Sequence, residues 1–238
     1  MHLKETDLYA PIKSYFEALG YEVKGEVKGC DVVLIKDEEI AVIELKKTFS
    51  IGLLYQIIER QKVAHAVYAA IPRSVFMKKR GQILHITEKL NVGLITVAMD
   101  SPVKTVAVHI VPKPAKKRNN ARSKAIIAEM NGRSFDANLG GSTRQKLMTA
   151  FRERAIRVAC VLEQDGPAKP SELIKKYSCD KYVGQMLRRN YYGWFTNIEK
   201  GVYSLSEIGV KALEEPQFKQ VVEYYQKLVR EQAGGNNV

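Results

Sequence analysis

Cysteine is scarce in this chain. Cys30, Cys160 and Cys179 are odd in number, far apart and form no Cys-x-x-Cys pair, which argues against both a disulfide framework and a thiolate zinc site and points to a reducing compartment. Histidine is no richer: His2, His65, His85 and His109 are scattered without metal-ligand spacing, so an imidazole-based zinc centre is not expected. No N-terminal apolar run reads as a signal peptide and no stretch approaches the length of a bilayer span. The expectation is a soluble cytoplasmic protein with no membrane partner. Acid is also in short supply, with 26 Asp and Glu against 38 Lys and Arg, a net charge of +12. Such an excess attracts polyanions, and nucleic acid is the natural one. At 238 residues the chain has room for two domains, each able to bury its own core. No internal repeat is evident.

Where acids do occur, their placement is informative. Asp31-Val32-Val33-Leu34-Ile35-Lys36 and Glu39-Ile40-Ala41-Val42-Ile43-Glu44-Leu45-Lys46 read as two strands of a hairpin joined by an acidic turn. Side chains alternate along a strand, so Glu44 and Lys46 point the same way, and an antiparallel partner can bring Asp31 beside them. Charged groups at the edge of an apolar sheet need a partner to be buried. A hard divalent cation is the simplest: Mg²⁺ is commonly held by one or two carboxylates with substrate phosphate and water. Asp31 and Glu44 fit as metal ligands, and Lys46 fits as the group that orients the attacking water and offsets charge on the transition state. Strands that end in mixed charges are common at sheet rims, so Glu44 with Lys46 alone would equally suit a solvated pair.

Around this pair the periodicity predicts a helix over Glu5–Leu19, a strand over Tyr21–Lys28, the hairpin, a helix over Ile51–Val63, and strands at Ala66–Ile71 and Val92–Ala98 flanking a helix near Gly81–Leu90. That order is αβββαβ, a mixed sheet with helices packed on it. With Gly29-Cys30-Asp31-Val32-Val33 and Ile43-Glu44-Leu45-Lys46 in place, the chain resembles the PD-(D/E)XK nuclease superfamily. It looks closest to a prokaryotic family of PD-(D/E)XK phosphodiesterases with an appended C-terminal domain. The resemblance implies a restriction-endonuclease-like α/β core in which Asp31 and Glu44 hold Mg²⁺ or Mn²⁺ and Lys46 is the catalytic lysine. It further implies that Glu5, on the first helix, completes the metal site and that Gln56, in preference to Gln61, is the glutamine of the helix after the third strand. Glu5 is equally suited to a helix N-terminus for its charge alone. Cys30 stands where the proline of the superfamily's name would be.

The stretch 113–146 carries nine Lys or Arg against Glu129 and Asp136. With its Pro, Asn and Gly-Gly signals it is expected to be a basic linker between a nuclease-like domain at 1–112 and a second domain at 147–238, with a short helix at Lys124–Met130 as its one ordered piece. The second domain predicts helices at Phe151–Leu162, Pro170–Tyr177 and Asp180–Asn190, then a hairpin through Trp194 to Leu205. This order looks like a winged helix, whose third helix can enter a major groove. Lys181, Gln185, Arg188 and Arg189 are then the candidate nucleic-acid contacts, although winged helices also serve as protein-docking modules. A final helix from Pro216 carries an apolar stripe through Phe218, Val221, Val222, Tyr225, Leu228 and Val229, and the tail from Ala233 is expected to be disordered.

The combined expectation is a metal-dependent nuclease acting on DNA. The rival is a DNA-binding or regulatory protein that retains the nuclease fold without activity. Cutting both strands of a duplex generally needs two active sites, which leaves room for a homodimer.

Overall fold

The computed structural model describes residues 3–100, 102–114, 120–138, 140–141 and 146–234. The chain divides into two compact units, Met1–Leu147 and Met148–Val238.

The first unit opens with a 3-10 turn, Glu5–Leu8, that runs into α1 (Tyr9–Ala18). Three strands follow, β1 (Glu22–Val27), β2 (Cys30–Lys36) and β3 (Glu39–Leu45), then α2 (Ile51–Gln61) and β4 (Ala66–Pro72). After these come α3 (Arg73–Lys78), α4 (Arg80–Lys89), β5 (Gly93–Val97), β6 (Val106–Ile110) and α5 (Asn120–Asn131). The six strands form one mixed sheet in the order β1-β2-β3-β4-β5-β6. The first three are antiparallel neighbours, β3, β4 and β5 run parallel, and β6 closes the sheet antiparallel. This is the nuclease-like α/β core expected from the element order.

Local chemistry explains the hairpins and the helix that frame the site. The β1–β2 turn has Lys28 and Gly29 at φ 50° and 79°, and the β2–β3 turn has Asp37 and Glu38 at φ 50° and 64°. Successive positive φ values match the twist of the flanking strands, as in two-residue hairpins. Ser50 caps α2 by accepting from the Leu53 amide at 3.3 Å, which satisfies one of the helix's open donors. Apolar side chains then cover both sheet faces. Val33, Val42, Ala69, Ile71 and Leu94 meet Leu53 and Ile57 of α2 on one face, while Val32, Ile43, Leu45, Ala70 and Ile95 meet Leu8, Ile12 and Phe16 on the other.

The stretch expected to be a linker is instead part of this unit wherever it is described. Ile126 and Met130 of α5 are buried in the same cluster as α2. Beyond α5, Arg133 donates to the carbonyls of Gly25 (3.1 Å) and Glu26 (3.4 Å). Asp136 accepts from the Gly25 amide (2.9 Å), from the Tyr9 hydroxyl (2.5 Å) and from Lys13. The Pro, Asn and Gly signals mark irregular backbone, but buried ion pairs and two apolar residues four apart bind that backbone to β1. The parts of the expected linker at 115–119 and 142–145, and the end of the expected disordered tail at 235–238, lie outside the described residues.

The second unit contains α6 (Ala150–Asp165), α7 (Pro170–Tyr177), α8 (Val183–Arg189), a hairpin of β7 (Phe195–Glu199) and β8 (Val202–Leu205), then α9 (Glu207–Leu213) and α10 (Lys219–Gly234). Ala168, between α6 and α7, makes two backbone hydrogen bonds of 3.0 Å with Tyr203 of β8. The stripe of α10 packs on α6, where the Tyr225 hydroxyl donates to buried Glu153 at 2.8 Å. Trp194 and Phe195 are core residues, whereas Tyr191 is exposed. Among the described residues no helix is long and apolar enough to cross a membrane.

Candidate active site

The β2–β3 register pairs Val32 with Ile43, so the next step along the hairpin sets Asp31 opposite Glu44. Glu44 points to the face that carries Val42, and the Asp31 carboxylate lies beside it where the regular pairing ends. At that point the backbone ladder stops, and the Leu45 amide donates instead to Asp31 Oδ2 at 2.9 Å. Lys46 follows the last residue of β3, its amide held by the Ala70 carbonyl at 3.0 Å. Its Nζ lies 4.0 Å from Asp31 Oδ2 and 3.2 Å from Glu5 Oε2. The 3-10 turn therefore brings Glu5 to the same edge, where it holds the lysine amine.

Glu44 is fully buried. Its Oε1 accepts from Arg60 Nε at 2.6 Å, and Arg60 also donates to the Gly29 carbonyl. Its Oε2 is buried with no hydrogen-bond partner. Burial, and next the neighbouring Asp31 carboxylate, push the Glu44 carboxyl up to about 7, outweighing the guanidinium that pulls it down. Burial also raises Asp31, opposed by the Leu45 amide and the Lys46 ammonium. Two carboxylates face each other with one oxygen unsatisfied, a costly arrangement in a buried place unless a cation completes it. Burial pushes the Cys30 thiol up to about 12, so it is not a nucleophile.

Gln56 lies one turn before Arg60 on α2, and its Oε1 is likewise buried without a hydrogen-bond partner. Gln61 is turned away and donates to the Leu90 carbonyl at 2.8 Å. Sequence reasoning missed Arg60. Its spacing of four from Gln56 puts both on one helix face, and that was the available signal. It also missed Gly140 and Gly141, which pass against the site. A Cβ on Gly140 would meet the Asp31 carbonyl oxygen at 2.5 Å, and one on Gly141 would meet Glu5 Cβ at 3.2 Å.

A protein-family model described as "Putative PD-(D/E)XK phosphodiesterase" matches residues 95–212. Residues 95–212, just under half of the 238, are what is similar to this family. No curated protein matches the chain. A solved structure of a protein of unknown function from Silicibacter pomeroyi shares 20% identity, covering 53% of this chain and 84% of its own, with a TM-score of 0.37. That agreement is too low to bear on function. The phosphodiesterase match runs from β5 into α9 and so includes α6, α7 and α8 of the second unit. Asp31, Glu44 and Lys46 lie outside it, and their roles rest on geometry.

Phosphodiesterases of the PD-(D/E)XK type generally use divalent metal ions. Among the described residues no three His, Cys, Asp or Glu side chains enclose a metal position by themselves, and Glu5 is engaged by Lys46. The donor set nonetheless fits a hard cation: two neighbouring carboxylates and one orphaned oxygen, with Asp31 and Lys46 half-exposed beside them. Asp31 and Glu44 would hold such an ion, with Gln56 Oε1 a further oxygen on the adjoining helix.

On the second unit, Lys181, Gln185, Arg188 and Arg189 are all exposed, while Val183, Met186 and Leu187 of α8 are buried. Lys181 lies in the turn ahead of α8, 5.1 Å from the centre of the Tyr182 ring. The expected polar face exists, with the helix starting later than its sequence pattern suggested.

Proposed function

We propose that this protein is a Mg²⁺- or Mn²⁺-dependent nuclease that hydrolyses DNA. One observation carries the reading: half-buried Asp31 beside fully buried Glu44, with Glu44 Oε2 unsatisfied and the Lys46 amine 4.0 Å from Asp31. A divalent cation there supplies a Lewis acid for the phosphoryl oxygen and a water of lowered pKa. Asp31 is held for that task by the Leu45 amide. Lys46, steadied by Glu5, orients the attacking water and donates to the phosphoryl oxygens as charge builds on them. Gly140 and Gly141 let the backbone pass close to these side chains without filling the space a phosphate would need.

DNA is favoured over RNA by the second unit, read as a winged helix. Three helices, the Ala168–Tyr203 bridge and the β7–β8 hairpin support that reading, and α8 offers Lys181, Gln185, Arg188 and Arg189 to a groove.

Arg60 favours a second reading. Its guanidinium occupies one oxygen of Glu44, as it would in a DNA-binding protein that retains the fold without turnover. Purified protein incubated with single-stranded, duplex and branched DNA in Mg²⁺, Mn²⁺ or EDTA separates the two. Metal-dependent cutting that disappears in Asp31→Ala and Lys46→Ala is expected. Binding without cutting on every substrate, unchanged by either substitution, would sink the nuclease reading.

A further inference from the structure

A second polar hollow lies on the same sheet, at β5 and β6. It has a volume of about 400 Å³ and is lined by Arg73, Arg80, Thr96, Thr105 and His109 over a floor that includes Phe76. Among the described residues no acidic side chain lines it. Thr96 Oγ1 and His109 Nε2 are 2.8 Å apart, and the His109 ring lies on Phe76 with centroids 4.4 Å apart. Arg60, Arg133 and Arg154 each face a carboxylate; Arg73 and Arg80 face none among the described residues. Two guanidiniums and two hydroxyls lining one hollow, with no carboxylate among its described lining residues, match the donor-rich chemistry that phosphate oxygens accept from.

The position links this hollow to the active site. Glu44 is level with Ala69 and Leu94, and Thr96 lies two residues beyond Leu94. Val42 and Leu94 share one core cluster, so Glu44 and Thr96 point to the same face, at the same end of parallel strands. Strand spacing and rise put their backbones roughly 12 Å apart. A nucleic-acid strand crossing that edge would lay another of its phosphates here.

We propose that the Arg73–Arg80 hollow is a phosphate-binding subsite that grips the backbone of the substrate strand away from the bond being cut. This rests on the nuclease reading for the owner of the phosphate, not for the phosphate itself. Partial desolvation, and then Arg80 and Arg73, hold His109 below its ordinary pKa, so at neutral pH it serves as a neutral partner of Thr96 while the arginines carry the charge.

The test is binding of a labelled DNA oligonucleotide in EDTA, where no cutting occurs, followed by anisotropy at several salt concentrations. Arg73→Gln/Arg80→Gln is expected to weaken binding about 10- to 100-fold and to flatten the salt dependence by about two counterions. Lys62→Gln/Lys89→Gln removes the same charge from exposed positions outside the hollow and is expected to do much less. In parallel, inorganic phosphate should shift the His109 imidazole NMR signals of the wild type but not of the arginine double variant. Thr96→Val gives a second, uncharged perturbation, expected to weaken both ligands. Phosphate shifts without any change in DNA affinity would mark a free-anion pocket and overturn the strand subsite. Unchanged DNA affinity with no phosphate shift would overturn the site altogether. Weakened DNA binding in the double variant, beside a wild type that cuts nothing, would support the subsite and defeat the nuclease reading.

Discussion

Two clusters of buried charge sit on the first unit, and they differ in kind. In one, Lys24 donates to the carbonyls of Met130 and Arg133 at 2.6 Å each and pairs with Glu22 at 2.9 Å. Arg133, buried beside Glu129, donates to two further carbonyls, and Asp136 accepts from three residues on two elements, α1 and β1. Opposite charges and backbone dipoles meet there, and the result holds a segment onto β1. In the other, at Asp31 and Glu44, like charges face one another and Glu44 Oε2 has no hydrogen-bond partner. Each cluster leaves a buried atom without a hydrogen bond, Arg133 Nε in the first and Glu44 Oε2 in the second, but Arg133 Nε faces the opposite charge of Glu129 at 3.6 Å, whereas Glu44 lies beside a second carboxylate. The comparison teaches that neither burial of charge nor a missing hydrogen bond identifies a site alone, and that the sign of the neighbouring charge separates the two.

The sharpest way to break this contrast is Asp31→Asn. Cutting is expected to fall about 10³- to 10⁴-fold, measured as initial rates on the preferred DNA substrate. The melting temperature in EDTA should hold or rise, because one of two repelling carboxylates has gone. A large fall in stability would place Asp31 in the structural class and remove its claim to chemistry.

Arg133→Met should do the reverse. Removing Arg133 takes away its buried pair with Glu129, to which Lys28 alone of the two cations then remains at 3.9 Å, and costs about 3–4 kcal/mol, to be read from denaturant unfolding. The rate of cutting per folded molecule in the cold should be unchanged. If cutting vanished while the fold survived, the division between the two clusters would fail.

A smaller effect addresses the like-charge cluster directly. Mg²⁺ or Mn²⁺ at about a hundred times its dissociation constant should stabilise the wild type by about 2.7 kcal/mol. Asp31→Asn should lose that gain and Arg133→Met should retain it. Arg60→Gln should bind the ion more tightly, since it frees Glu44 Oε1; calorimetric titration reads this. Weaker binding in Arg60→Gln would make the arginine a support of the site, not a competitor within it.

These clusters were unequally legible in the sequence. Asp31, Glu44 and Lys46 interrupt apolar strands at fixed spacing, so both their pairing and their common edge follow from strand periodicity. Helical periodicity likewise carried the order of elements and the buried side of α2. Arg60 was hidden because an arginine late in an amphipathic helix looks like any solvated residue. Asp136 and Arg133 were hidden for a stronger reason: their partners Tyr9, Lys13 and Gly25 lie more than a hundred residues away, and no local pattern announces such contacts. The same stretch, judged on its charge and its glycines, read as a tether. Strand β6 escaped notice because Ala107 and His109 are exposed and dilute its apolar signal.

The least of the expected effects tests the structural cluster through pH. Burial, then the neighbouring Asp136 carboxylate, raise the Tyr9 hydroxyl well above its ordinary value of 10.0. The folded state therefore keeps a proton that the unfolded chain releases, so this contribution to stability is fully present below about pH 10 and declines as pH rises beyond it. Tyr9→Phe removes the hydrogen bond to Asp136 at a cost of about 1 kcal/mol near neutrality, and it also removes the group that titrates. The stability gap between wild type and Tyr9→Phe should consequently shrink above pH 10, where unfolding of the two proteins is compared in the same denaturant series. A gap that stayed constant or widened with pH would mean that the phenol is not held protonated against Asp136, and the cluster would lose one of the ties that hold it together.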